Sequence, residues 1–222
     1  MTQRITPQVR AAARGRIAAG LAAAGLALLA GCASSLLPPA PPLPAQYTLD
    51  GAGDSAAPSS TRTPALGAPT LAVSAPRAAP GLDSRGIIYL RQPHAVEVYA
   101  QSQWVDTPAQ MLAPLIVDAL QRTGAFAAVL RAPSAASAEL RLDTELLRLQ
   151  QDFGVTPSRV HLSLRAVLVD TGSRRVLAWR EFDASVAAPS EDAYGGVRAA
   201  NQAARQLLIE LATFTAQAAA KH

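Results

Sequence analysis

The only cysteine of this 222-residue chain is Cys32, which follows the residues Leu29-Ala30-Gly31. A thiol at this spacing behind small residues has a specific use. After cleavage between Gly31 and Cys32, it carries a thioether to diacylglycerol, and the freed amine of Cys32 is usually acylated as well. The pattern L-A-G-C therefore predicts a lipobox, with Cys32 as the lipidation site and its covalent acyl chains in place of any cofactor.

The segment in front of Cys32 has the order of a secretory signal peptide. Residues 17–30 form an uncharged run of mainly Ala, Leu and Gly, which is shorter than the ~20 residues that a membrane span needs. We therefore expect residues 1–31 to be removed and the mature chain to be held by two or more acyl chains, which anchor stably. The basic residues at the start are Arg4, Arg10, Arg14 and Arg16.

The residue after the lipidated cysteine predicts the membrane. In Gram-negative envelopes, an Asp at this position usually retains a lipoprotein at the inner membrane. Here the position is Ala33, followed by two serines. We therefore expect an outer-membrane anchor, with the domain on the periplasmic face.

The charge of the mature chain argues against a nucleic-acid partner. The full chain has 20 basic and 16 acidic residues, but four of the basic residues belong to the expected signal peptide, which has no acidic residue. The remaining 16 basic residues balance the 16 acidic ones, and the basic cluster with the highest density is the pair Arg174-Arg175. Electrostatic attraction to polyanions is therefore not supported.

A tether and a single domain are expected after Cys32. Residues 32–69 are rich in Pro and Ala, with a short β-prone stretch at 46–50, and residues 70–220 form the domain. Five prolines between residues 38 and 44 favour polyproline II, so thirteen tether residues span up to ~40 Å.

The domain is expected to belong to the α/β class, with an α+β-like arrangement. The pattern predicts a mixed, mostly antiparallel sheet of about five or more strands, with two main helices packed on it. The longest strands fall in 139–152, 158–170 and 174–187, and the first of them has a register shift near Leu147. Shorter strands are expected at 71–74, 87–90 and 95–99.

Each helix has recognisable end signals. Thr107 is expected to cap the first helix through a capping box with Gln110, Pro108 suits its first position, and Gly124 ends it. The second helix is expected at about 191–218, with Ser190 as its cap and an apolar stripe on one side.

No catalytic or metal-binding constellation is visible. One cysteine allows no internal disulfide, and no nucleophile elbow, zinc motif or phosphate-binding loop is present. His94 is expected in a turn and His161 on a solvated strand face. Trp104 and Trp179 are expected to be core or packing residues and not a ligand cage, and the carboxylates are scattered. We therefore expect no enzyme, no catalytic residue and no metal.

The order of these elements and their residues resembles the ABC-type transport auxiliary lipoprotein family, which includes Pqi-type outer-membrane lipoproteins. The resemblance implies an accessory of an ABC/MCE-type lipid transporter, with an MCE-domain periplasmic protein as partner, and it carries over no catalytic residue. Tyr99, Trp104 and Pro108 count as family-signature residues with structural roles. The other matching positions are Tyr47-Thr48-Leu49, Leu71-Ala72-Val73, Gly81 to Arg85, Ile87-Ile88-Tyr89, Met111-Leu112 and Ala199 to Ala203.

Two alternatives to a transport auxiliary remain open from the sequence. An assembly lipoprotein of another envelope machine, such as lipopolysaccharide export, also combines a lipobox with a small α/β domain. A lipid-anchored hydrolase would need a Ser or Asp close to His94 or His161 in a pocket. Homo-oligomerisation is possible under each hypothesis.

Overall fold

Nine strands and two helices follow one another in a computed structural model that describes residues 42–50 and 67–222. The predictions for the signal peptide, Cys32 and most of the tether concern residues outside the described ranges. The strands are β1 (Ala45–Tyr47), β2 (Thr70–Val73), β3 (Arg77–Ala78), β4 (Gly86–Gln92), β5 (Ala95–Trp104), β6 (Ala128–Arg131), β7 (Leu140–Asp152), β8 (Arg159–Asp170) and β9 (Val176–Ala187). The helices are α1 (Pro108–Thr123) and α2 (Ala193–Ala219).

Strand β7 organises the sheet. One edge of β7 pairs with β8 along almost its whole length in antiparallel orientation, and β8 pairs with β9 in the same way. The other edge of β7 takes three short parallel strands in succession, which are β2, β3 and β4. Strand β6 extends the sheet beside β2, and β5 and β1 extend it beside β4. The predicted mixed, mostly antiparallel sheet is confirmed, with its longest strands at the predicted places.

Alternation along the long strands separates the two faces of the sheet. On β8 the residues Val160, Leu162, Leu164, Ala166 and Leu168 are buried towards the helices, as their spacing predicts. On β7 the pairing shifts between Leu146 and Arg148, so Leu146 and Leu149 both face the core. The predicted register shift near Leu147 is thus confirmed, and it keeps the apolar side of β7 on one face.

The helix ends follow the predicted places, and Thr107 is the N-cap residue of α1, but its predicted capping box and the predicted Ser190 cap are wrong. Helix α1 starts at Pro108 and ends at Gly124, which has φ 66° as a left-handed C-cap, yet Thr107 makes no side-chain capping bond. Helix α2 is capped by Asp192 and not by Ser190, because the Asp192 side chain accepts from the Gly195 N–H at 2.7 Å. Ser190 donates to Asp192 instead, and these donors hold the pKa of Asp192 below its usual value.

Other sequence expectations need smaller corrections. Strand β1 ends at Tyr47 and therefore covers only the first part of the predicted 46–50 stretch, and β6 was not predicted. Trp104 is 2% exposed in the core, as expected, whereas Trp179 is 64% exposed and is therefore not a core residue. Trp179 lies on the face of β9 that points away from the helices. In the described part of the chain, no helix is both long and apolar enough to cross a membrane.

Candidate functional site

The end of the tether is fastened to the folded domain. Strand β1 pairs in parallel with the last residues of β5, from Ser102 to Trp104, and the Val105 N–H donates to the Tyr47 carbonyl at 2.9 Å. The Tyr47 ring lies 6.3 Å from that of Tyr194 at the start of α2. The chain that comes from the direction of Cys32 therefore enters the domain as a strand of its sheet.

The side-chain amide of Asn201 binds two of the residues that follow β1. Asn201 on α2 accepts from the Asp50 N–H at 2.9 Å and donates to the Thr48 carbonyl at 3.0 Å. Between these residues, Leu49 is 3% exposed and its N–H points at the Met111 sulfur on α1, 3.4 Å away. We call Thr48, Leu49, Asp50 and Asn201 the tether clamp. It fixes the tether end to both helices at once.

The tether clamp uses both halves of an amide, which only Asn and Gln provide. The Asn201 side chain also donates to the Val197 carbonyl on its own helix at 3.1 Å, which fixes its orientation. Sequence reasoning placed Asn201 in a matching stretch of the second helix but missed this role. The sequence feature that could have indicated this role is an asparagine next to the alanines that form the buried side of the helix.

Loss of the clamp amide should loosen the tether end and leave most of the domain intact. We expect Asn201→Ala to lower the free energy of unfolding by about 1–3 kcal/mol, because two backbone groups lose their partner. The measurement is urea unfolding together with amide exchange of residues 47–50. Gln202→Ala, at an exposed position of the same helix, is the matched control. Unchanged exchange at 47–50 in Asn201→Ala would contradict the clamp.

The three family-signature residues occupy structural positions. Trp104 is buried, and its backbone N–H and carbonyl both bind Arg85, at 2.7 Å and 3.1 Å. Pro108 is the first residue of α1. The Tyr99 hydroxyl donates to Gln151 Oε1 at 3.0 Å, and its ring centroid lies 4.4 Å from that of Tyr89. Burial, followed by Tyr89, raises the pKa of Tyr99 to about 12, so the phenol stays protonated as the donor.

A buried polar chain links the β5 side of the sheet to the start of α2. Gln151 is 2% exposed and donates to the Ser158 hydroxyl at 2.9 Å, and the Ser158 N–H donates to Glu191 Oε1 at 2.9 Å. A Cβ on Gly196 would lie 2.2 Å from Gln151 Oε1, so the start of α2 packs closely against β7 at this glycine. Since each of these polar groups has a partner, the chain positions α2.

His94 and His161, which a hydrolase would need beside a Ser or Asp, form no hydrogen bond with a serine or carboxylate side chain in the described residues. His94 has φ 67° in the turn between β4 and β5. His161 Nε2 lies 3.9 Å from Asp152 Oδ2, which is beyond hydrogen-bond distance. Ser185 lies opposite His161 in the β8–β9 pair, but its hydroxyl accepts from Arg159 Nε at 3.0 Å. No group of three metal-ligating side chains occurs in the part of the chain that the structure describes.

Comparison with known proteins gives this tethered domain its family. The family model described as "ABC-type transport auxiliary lipoprotein component" matches residues 47–212, from β1 and the tether clamp to near the end of α2. The chain belongs to the ABC-type transport auxiliary lipoprotein family. It is therefore an auxiliary lipoprotein of ABC-type transport, and the matched range includes Tyr99, Trp104 and Pro108.

Solved structures share the fold of this auxiliary lipoprotein. A Xanthomonas campestris protein of the DUF330 family is 27% identical, with 72% of this chain and 92% of that chain covered and a TM-score of 0.64. An uncharacterised protein at 15% identity covers 78% and 99%, with a TM-score of 0.59. A hypothetical protein from Chlamydia trachomatis at 10% identity covers 69% and 99%, with a TM-score of 0.51. Among curated proteins, no sequence matches this chain.

Proposed function

We propose that this auxiliary lipoprotein is anchored in the outer membrane and docks the periplasmic carrier of an MCE-type intermembrane lipid transport system. The observation that carries the proposal is the family match over residues 47–212, directly behind a lipobox at Cys32 and a proline-rich tether. A protein of this kind contributes to transport by positioning the carrier. The energy for transport comes from an ATPase at the inner membrane.

The way the tether enters the domain supports a positioning role. The polyproline II tether expected from the sequence would span at most ~40 Å, and this would set the reach of the domain from its lipid anchor. At the end of that span, β1 is paired into the sheet and the tether clamp binds the next residues to both helices. The tether is therefore attached to the core of the domain through the sheet and both helices.

The polar side chains of the described residues support a role without catalysis. Two of the buried ones, Gln151 and Ser158, bind one another and their neighbours around the start of α2. The lowered pKa of Asp192 has its cause in helix capping, and the raised pKa of Tyr99 in burial. Perturbed pKa values often mark catalytic groups, but here each has a structural cause.

Sorting to the outer membrane provides a test of the proposed place of action. We expect Ala33→Asp to move the lipidated chain to the inner membrane, because an Asp after the lipidated cysteine retains lipoproteins there. The measurement is density-gradient separation of the two membranes, followed by detection of the chain. Ala33→Ser is the matched control and should stay with the outer membrane. A wild-type chain that sediments with the inner membrane would contradict the proposal.

A further inference from the structure

Strand β9 has an unpaired edge. Within the described residues, β9 pairs only with β8, so its outer backbone N–H and carbonyl groups have no strand beside them. Such an edge is a template for another strand. Near one end, Arg159 already donates to the Ser185 carbonyl at 2.8 Å, so the open stretch is residues 177–183. We call residues 177–183 the β9 docking edge.

The solvent face of the β9 docking edge combines an aromatic ring with two acids. Trp179, Glu181 and Asp183 point away from the helices at alternate positions, and Trp179 is 64% exposed. Arg165 binds Glu181 at 2.7 Å but is shared with Glu145 at 3.2 Å. Two carboxylates thus share one guanidinium.

Asp183 is the acid nearest the end of the β9 docking edge, and no basic side chain binds it among the described residues. Asp183 accepts from the Ser163 hydroxyl, and among the described residues it makes no ion pair. The next basic side chain in its row is Arg148, which lies two strands away on β7. Of the basic residues around this edge, Arg180 points to the helix side and pairs with Glu210 at 3.6 Å, and Arg159 binds Ser185 beyond the open stretch. The solvent face of residues 177–183 therefore carries two acids and no basic residue of its own, which favours a basic partner strand. A second copy paired antiparallel about residues 180 to 182 would place Arg180 against Arg180 or acid against acid.

The helix side of the same edge has a cavity. A cavity of about 260 Å³ lies between the start of β9 and the end of the chain, and it is lined by Leu177, Ala178, Phe214, Gln217, Ala218, Lys221 and His222. A strand beside β9 would direct every second side chain to this side of the sheet. An aliphatic side chain opposite Ala178 would contact the apolar part of this cavity, which Leu177, Ala178 and Phe214 form.

We propose that the β9 docking edge binds one extended strand of a partner protein by β-strand addition. In antiparallel orientation, the strand places basic side chains opposite Asp183 and Glu181, an apolar one opposite Trp179, and the next apolar one in the cavity. Backbone hydrogen bonds supply affinity, and these alternate contacts supply selectivity. The inference rests on the proposed docking role and assigns that role to a surface. The partner segment is expected to have the pattern basic-x-basic-x-apolar-apolar.

The test uses the full chain in detergent and the peptide Thr-Lys-Thr-Lys-Thr-Val-Leu-Thr. Binding should slow amide exchange in residues 177–183 and protect Trp179 fluorescence from acrylamide, while Trp104 is already buried. A peptide of the same composition with adjacent lysines is the control, because its two charges lie on opposite faces of a strand. Equal binding of both peptides, or no slowed exchange in residues 177–183, would overturn the proposal.

Charge reversal provides the second arm. The double variant E181K/D183K should bind the lysine peptide about tenfold more weakly and should bind the corresponding glutamate peptide instead. If that variant does not fold, E181Q/D183N takes its place, and it should bind the lysine peptide more weakly than the wild-type chain does. Unchanged affinity in the variant that folds contradicts the inference. Failure of these arms while MCE proteins still co-purify shows that docking uses another face, whereas peptide binding without any MCE partner contradicts the proposed function alone.

Discussion

Replacement of Cys32 by Ser should abolish lipid attachment completely. The chain has one cysteine, so no other thiol can form the thioether to diacylglycerol. The measurement is incorporation of labelled palmitate into the wild-type chain and into Cys32→Ser. The uncleaved apolar segment should then leave the variant at the inner membrane, and every function that depends on an outer-membrane anchor should be lost with it.

A displaced cysteine separates the lipobox from the mere presence of a thiol. In the double variant C32S/S35C, the chain again has one cysteine, but it no longer follows Leu29-Ala30-Gly31 directly. We expect no palmitate in this variant. Label in Cys32→Ser, or label restored by the displaced cysteine, would show that the lipobox interpretation is wrong.

The largest expected effect on stability is at Gly195, in the first turn of α2. Alanine is normally the better helix former by about 1 kcal/mol, so propensity alone predicts a gain from Gly195→Ala. The structure predicts the opposite, because the new Cβ would lie 2.1 Å from the backbone carbonyl oxygen of Ser190. We expect a loss of about 3 kcal/mol, since the helix start must move away from its Asp192 cap. Urea unfolding of the wild type and of Gly195→Ala shows whether the substitution lowers or raises the free energy of unfolding.

Two other glycines provide graded controls for Gly195→Ala. A Cβ on Gly196 would meet the end of the Gln151 side chain, so Gly196→Ala should cost less in a Gln151→Ala background than in the wild type. At Gly172 a Cβ would meet Asp170 Oδ1 at 3.5 Å, an ordinary contact, and Gly172→Ala should change little. A stabilised Gly195→Ala variant would contradict the described helix start.

The parts of the fold that could be predicted are those with a strong local pattern. Alternation on β8 and the break in alternation near Leu147 identify the long strands, and Pro108 and Gly124 mark the ends of α1. Strand partners could not be predicted in this way. The three short strands beside β7 are placed by tertiary pairing, which leaves no periodic signal in stretches of two to seven residues.

The candidate site was predictable only in part, for similar reasons. Ser190 and Asp192 are both good caps, and only the geometry at Gly195 selects Asp192. Trp179 looks like a core residue by type, yet β9 is an edge strand whose solvent face exposes it. The role of Asn201 depends on residues about 150 positions earlier in the chain. Such long-range contacts are invisible in a local pattern.

The proposed docking of an MCE-domain protein is tested by identifying the proteins that bind the lipidated chain in the envelope. The measurement is affinity purification of the wild-type chain and of Cys32→Ser from gently solubilised membranes after brief cross-linking, followed by mass spectrometry. We expect an MCE-domain protein to co-purify with the wild-type chain and to be strongly depleted with Cys32→Ser. Recovery of lipopolysaccharide-export components without any MCE protein would contradict the proposed docking.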